Sequence, residues 1–126
     1  MTPGDALDDP AHVHATVAAA LAEDIGSRDW TALLVPDRPA KARVISRDAA
    51  VICGRPWVDE VFRQLDPAIT LDWHIAEGEP VARDTVLFTL QGPARALLTG
   101  ERSALNFLQT LSGTATAVRR YVEVVA

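Results

Sequence analysis

The sequence of 126 residues has a single cysteine, Cys53. No internal disulfide can form, and no cysteine cluster can hold a metal. No apolar run approaches the ~20 residues that a membrane-spanning helix requires, so no membrane partner is expected. The opening MTPGDALDDP is acidic and polar where a secretory leader would be basic and then apolar. These absences predict a protein of the reducing cytoplasm. Lysine and arginine number 12 against 17 aspartates and glutamates, for a net charge of −5, and form no block. Nucleic acid binding needs a basic footprint, so no nucleic acid partner is expected either. No glycine-rich phosphate loop, nucleophile motif or metal box is present.

What is present is the composition of a globular domain: 48% apolar and 23% charged residues, in a length that suits one hydrophobic core. Residues 1–9 read as a loose acidic end. The run PAHVHATVAAALA from Pro10 to Ala22 has Val13, Val17, Ala20 and Leu21 at helical spacing, with Asp9 as N-cap and Pro10 at the first helical position. Gly26 ends that helix, and SRDWTALLVPDRP follows as an irregular connection anchored by Trp30 and Leu34. KARVIS (Lys41–Ser46) and AAVIC (Ala49–Cys53) read as short strands, and Gly54 and Pro56 break the chain after them. Trp57, Val58, Val61, Phe62 and Leu65 then predict a short helix that Asp66-Pro67 stops.

The clearest strand is ITLDWHI, with Ile69, Leu71, Trp73 and Ile75 on one face and Thr70, Asp72 and His74 on the other. Its expected turn is Glu77–Pro80 and its return strand Thr85–Leu90, closed by Gly92-Pro93. From Ala94 to Ala126 the pattern is helical almost throughout. Leu98, Glu101, Leu105, Leu108, Leu111, Ala115, Val118, Val122 and Val125 form one stripe, and Arg95, Thr99, Arg102, Asn106 and Gln109 the opposed one. Ser112-Gly113 is expected to divide the run into two helices. The fold class predicted is α+β: a mostly antiparallel sheet of about four strands packed by helices, ending in a long helix. An amphipathic helix that stops at YVEVVA has nothing to pack its apolar stripe on, which reads as a truncation.

Most chemistry-bearing residues have a plain structural reading. His12 and His14, two apart on a helix, face different ways and read as solvated. His74 lies on a polar strand face with no second ligand in view, and Cys53 reads as buried packing at a strand end. Glu23-Asp24 and Asp59-Glu60 are consecutive acids whose side chains diverge, so they read as surface charge. EGEPVARD resembles a lipoyl or biotinyl turn superficially but carries no lysine for the cofactor. LLTGERSALNFLQTLSG offers more. Glu101 lies on the apolar seam, four residues from both Leu97 and Leu105, where a carboxylate left unpaired would cost several kcal/mol. Arg102 follows it and shares a face with Asn106. A guanidinium fixed there can present its planar fork to a carboxylate ligand, and in an acidic chain such a local cation is what an anionic ligand needs. An ordinary salt bridge is the competing reading of the same residues.

The segment also resembles the signature of the quinolinate phosphoribosyltransferases, the nicotinate-nucleotide pyrophosphorylases (carboxylating). Leu21, Glu23, Asp24, Gly26, Asp29 and Thr31 match the opening of that family's N-terminal domain. Glu101, Arg102, Ser103, Leu105, Asn106, Leu108, Leu111, Ser112, Gly113, Ala115 and Thr116 match its E-R-[ST] helix. Ala49–Gly54, the Val61-Phe62 helix with Asp66-Pro67, and the Glu77-Gly78 turn fall between them in the expected order.

The resemblance covers about residues 20 to 126. It implies three segments: a tail and helix over 1–22, the N-terminal domain over 23–113, and the start of a truncated α/β barrel over 114–126, where the helix would lead into the barrel. It implies a reaction in NAD synthesis, in which quinolinate and phosphoribosyl pyrophosphate, accompanied by Mg2+, give nicotinate mononucleotide, CO2 and pyrophosphate. It also implies a homodimer or higher homo-oligomer, whose active site lies between the barrel of one subunit and this domain of the other.

Arg102 would then contact a quinolinate carboxylate, with Glu101 and Asn106 in support, and no catalytic or metal-binding residue is expected within the chain. Without the barrel the chain is expected to be inactive alone. The alternatives are a non-catalytic interaction module, or a homologue with another substrate, either linked to molybdenum uptake or another pyridine phosphoribosyltransferase.

Overall fold

Asp9 caps the first helix as the sequence predicts: the His12 N–H donates to Asp9 Oδ2 at 3.3 Å. That helix, α1, runs Pro10–Gly26 and buries Val13, Val17 and Leu21. These lie at i, i+4 and i+8, one stripe of a 3.6-residue period. The computed structural model describes residues 9–26, 38–113 and 117–124, with the backbone alone described at 24–26 and 117–124. The expected loose start and nearly all of the connection carrying Trp30 and Leu34 lie outside the described residues.

Strand β1 (Pro39–Ser46) alternates strictly, burying Ala40, Ala42, Val44 and Ser46 and exposing Lys41 and Arg43. β2 (Ala50–Ile52) is followed by helix α2 (Arg55–Leu65), which buries Trp57, Val58, Val61 and Phe62. β3 (Thr70–Trp73), β4 (Glu79–Val81) and β5 (Val86–Pro93) follow, then helix α3 (Ala94–Ser112) and strand β6 (Ala117–Val124). The described strands form a four-stranded antiparallel sheet in the order β3-β5-β1-β6 and a two-stranded ribbon of β2 and β4. In the β1–β5 ladder Val44 faces Phe88 and Ile45 faces Val86, so Leu87 is the extra residue of a bulge. The bulge turns two successive side chains, Leu87 and Phe88, into the core.

The α+β class and the antiparallel sheet are as expected, but three local readings change. The Glu77–Pro80 segment is not only a turn, because Glu79 and Pro80 begin β4. Its N–H and C=O groups find a ladder partner in β2, which the hydrophobic pattern does not reveal. Gly92 and Pro93 belong to β5 and pair with Ala40 and Pro39, so they do not close the strand. Proline is tolerated there because it is the terminal residue of the pairing.

The largest correction concerns residues 117–124. They pair with β1 as a strand where the spacing predicts a second helix leading onward. Ala-Val-Arg-Arg-Tyr-Val-Glu-Val carries β-prone valines and a tyrosine, and β1 offers a whole edge of unpaired backbone groups. The break itself falls where expected, with Gly113 at φ 69° as the left-handed C-cap of α3.

Candidate functional site

Helix α3 carries the residues singled out by the sequence. Its buried face holds Ala94, Leu97, Gly100, Ser103, Ala104 and Leu108. At Gly100 the packing on α2 is so close that an added Cβ would stand 2.6 Å from Phe62 Cε1 and 2.7 Å from Leu65 Cδ1. Only a residue without a side chain fits undisturbed, and this contact fixes the roll of α3 two residues before Arg102.

Glu101 is half-buried and is not without a partner, as expected for a carboxylate on the seam. Arg102 and Asn106 are exposed, one turn apart on the outward side. No hydrogen bond or ion pair engages Arg102 among the described residues. A cleft of about 450 Å³ opens between α1 and α3, lined on α3 by Ser103 and Asn106 and not by Arg102 itself. Trp57 and Phe107 lie along it, with Asn106 and Thr110 on one wall and His12 and Glu23 on the other. An exposed, uncommitted guanidinium one residue along the helix from a mostly apolar cleft can grip a carboxylate on a planar ring.

Other sequence-marked residues are committed elsewhere. Glu60, read as surface charge, is the hub of a network between α1 and α2. It accepts from His14 Nδ1 at 2.9 Å, Arg63 Nε at 2.7 Å and Gln64 Nε2 at 2.6 Å. Gln64 Nε2 also donates to the His14 carbonyl at 3.0 Å. Only 13% of the Glu60 side chain is exposed, because its own partners cover it. The Arg63 hydrogen bond, with help from Gln64 and His14, holds its carboxyl at about 2 against an ordinary 4.5, outweighing the burial that opposes it. His14 is therefore more than a solvated histidine.

Asp59 accepts from the Trp73 indole N–H at 2.6 Å. Desolvation nonetheless raises its carboxyl, against the pull of Trp73 and of Arg55. Arg55 stacks 5.0 Å above the Trp73 ring. His74 only approaches Thr89, at 3.5 Å, and Cys53 is half-buried, not enclosed. Among the described residues no three His, Cys, Asp or Glu side chains gather as a metal site. No helix of the described residues is long and apolar enough to cross a membrane.

Two residues escaped the chemical reading of the sequence. Glu77 reaches back 23 positions to accept from the N–H groups of Gly54 and Arg55, at 2.9 and 3.1 Å. It supplies the N-terminal cap that Gly54, lacking a side chain, cannot give to α2. Ser112 Oγ accepts from the Cys53 N–H at 2.9 Å and donates to the Cys53 carbonyl at 3.0 Å. Their presence in the motif was the only available signal, since partners 59 residues apart leave no periodicity.

The sequence pattern of the family described as "Quinolinate phosphoribosyl transferase, N-terminal domain" matches residues 29–112, and the chain belongs to that family. It is 42% identical over 107 residues to the probable nicotinate-nucleotide pyrophosphorylase [carboxylating] of Synechocystis sp., which covers 84% of this chain and 36% of the relative. It is 36% identical over 117 residues to the human nicotinate-nucleotide pyrophosphorylase [carboxylating], covering 90% and 38%. The solved nicotinate-nucleotide pyrophosphorylase from Francisella tularensis superimposes with a TM-score of 0.78 at 40% identity, over 86% of this chain and 38% of that one. The chain thus spans a little over a third of the length of the curated relatives it matches.

Proposed function

We propose that this chain is the substrate-binding and dimerisation domain of a quinolinate phosphoribosyltransferase of the cytoplasm. The complete enzyme would join quinolinate to phosphoribosyl pyrophosphate and release CO2 and pyrophosphate. Its product, nicotinate mononucleotide, feeds NAD biosynthesis. Magnesium would enter with the pyrophosphate, held by residues outside those described here. The role of this domain is to bring Arg102 to a carboxylate of quinolinate across the interface of a homodimer or higher homo-oligomer, with Glu101 and Asn106 in support.

The observation that carries the reading is the state of Arg102. It is exposed on α3, it has no partner among the described residues, and it lies inside the family motif. A planar guanidinium can take a carboxylate through two parallel N–H bonds. Holding the dicarboxylate in one orientation is what catalysis by positioning and charge stabilisation asks of such a group. A net charge of −5 leaves attraction of a dianion to local cations of this kind.

The chain alone is expected to form no nicotinate mononucleotide above a blank. Mixed under subunit exchange with a full-length relative whose own motif arginine is replaced by alanine, it should restore product formation. No restoration, with exchange verified by native mass spectrometry, would point to a non-catalytic interaction module or to another pyridine substrate.

A further inference from the structure

The corner Cys53–Gly54–Arg55, between β2 and α2, is tied twice, and both ties come from far along the chain. Ser112, the last residue of α3, uses its one hydroxyl in both directions. It accepts from the Cys53 N–H at 2.9 Å and donates to the Cys53 carbonyl at 3.0 Å. Glu77 holds the next two N–H groups, those of Gly54 and Arg55, at 2.9 and 3.1 Å. Around the corner the Gly78 N–H donates to the Ile52 carbonyl at 2.7 Å, and Arg55 Nη1 donates to the Ile75 carbonyl at 2.8 Å. Gly54 has φ 118°, a conformation side chains disfavour, and a Cβ there would stand 3.2 Å from Leu111 Cδ1. The end of α3 therefore sits directly on the corner.

Besides its buried face, which continues past Gly100 through Ser103, Ala104 and Leu108, helix α3 is held at three places. Its first residue, Ala94, donates its N–H to the Arg38 carbonyl at 2.8 Å. Its middle rests on Phe62 and Leu65 at Gly100, and its end is pinned by Ser112. At ~1.5 Å per residue the pin lies roughly 18 Å beyond the Gly100 contact. Gly100 acts as a fulcrum beside Arg102, and the corner sets the angle of the lever. Freed at its end, α3 can tilt about Gly100, which re-aims the long Arg102 side chain and shifts Asn106, Thr110 and Leu111 along the cleft.

We propose that Ser112 and Glu77 are positioning residues for the ligand site: by bracing the Cys53–Arg55 corner against the end of α3, they set the direction in which Arg102 meets the carboxylate. This rests on the reading of Arg102 as the carboxylate contact. Only a side chain that donates and accepts from one atom can fill the role of Ser112, so threonine should serve and alanine should not. Because both residues act through one corner, their effects should not add.

The test uses the whole chain mixed with the full-length relative that lacks its motif arginine. Ser112→Ala should raise the KM for quinolinate about tenfold while kcat and the KM for phosphoribosyl pyrophosphate stay within about twofold. Ser112→Thr should return the KM to within about twofold of the unsubstituted chain. Glu77→Ala should act in the same direction, and the double variant should be no worse than the stronger single one.

An unchanged quinolinate KM in Ser112→Ala overturns the proposal. So does a uniform loss of all three parameters that threonine fails to rescue, since that is the mark of a merely structural serine. Backbone residual dipolar couplings of the chain by itself provide an arm independent of activity. They should report a changed orientation of α3 against the sheet in Ser112→Ala and a restored one in Ser112→Thr. If the unsubstituted chain restores no activity, the functional reading fails and the ligand role falls with it. An unaltered α3 orientation in Ser112→Ala sinks the bracing claim whatever the assay gives.

Discussion

Two arginines on neighbouring helices have opposite fates. Arg63, on α2, is bonded to Glu60 through both Nε and Nη2, inside a network that also takes in His14 and Gln64. Arg102, on α3, is likewise exposed, yet no described residue engages its side chain. Both would read in a sequence as a basic residue near an acid on an amphipathic helix. A charge saturated by its own domain has little left to offer a ligand, whereas one left open in a protein of net charge −5 is available to an anion. The first network fastens α1 to α2, and the second arginine is the binding candidate.

The sharpest way to break this comparison is to remove each arginine in turn. Arg102→Ala should lower the activity that the chain restores to an arginine-deficient relative by about a hundredfold, the size expected for losing a two-point charged contact. Arg102→Lys should recover only part of it, because a point charge cannot reproduce the planar fork. The thermal stability of both variants should stay within about 0.5 kcal/mol of the unsubstituted chain. Arg63→Ala should do the reverse, costing stability and sparing the restored activity. If the two variants behave alike in the assay, the distinction between saturated and open charge fails.

Next in size is the contact that joins the two helices. Gly100→Val forces a branched side chain into the space held by Phe62 and Leu65, and overpacking of that kind costs about 1–3 kcal/mol. Urea denaturation should show the loss directly. Pairing it with Phe62→Leu, which vacates part of the space, should recover some of it, because the two residues touch and their effects couple.

The sequence made much of this legible, and its failures have a common cause. The stripes Val13-Val17-Leu21 and Trp57-Val58-Val61-Phe62 are local repeats, and both bury the faces they predict. Gly113 is a local conformational requirement and ends α3 where expected. Arg102 and Asn106 were placed on one outward face by spacing alone. What could not be read was anything decided by a distant partner. Glu60 looked like idle surface charge until His14, 46 residues away, was folded against it. Glu77 and Ser112 were motif letters without a role, because their bonds go to backbone groups 22 to 59 positions away. Residues 117–124 satisfy a helical and an extended pattern at once, and the open edge of β1 decides between them. The same limit applies to the bulge at Leu87, which breaks alternation for a reason that lies in β1.

Glu60→Ala is expected to cost about 1 kcal/mol, reduced from what its short bonds suggest because His14 and Arg63 are largely in water. Restored activity should not change, since Glu60 does not line the cleft and its bonds go to His14, Arg63 and Gln64.

The smallest effect, and the one that isolates the network best, is its dependence on pH. The Glu60 carboxyl titrates at about 2 in the folded chain against 4.5 as its ordinary value. Its contribution is therefore fully present above about pH 4.5 and is lost as pH falls toward 2. Between those values the unfolded chain binds more protons than the folded one at this site, so unfolding free energy must rise with pH. Every other native carboxylate with a depressed titration adds to the same slope, and the raised Asp59 opposes it. The slope of the unsubstituted chain alone therefore proves nothing. The informative quantity is the difference from Glu60→Gln, which keeps the shape but cannot ionise. Urea midpoints measured from pH 6 to pH 2.5 should separate the two chains at the upper end and bring them together at the lower, by less than about 1 kcal/mol after solvent screening. Parallel curves would mean that the hub is geometrically complete yet energetically idle. In that event the commitment of Arg63 could no longer be held to distinguish it from Arg102.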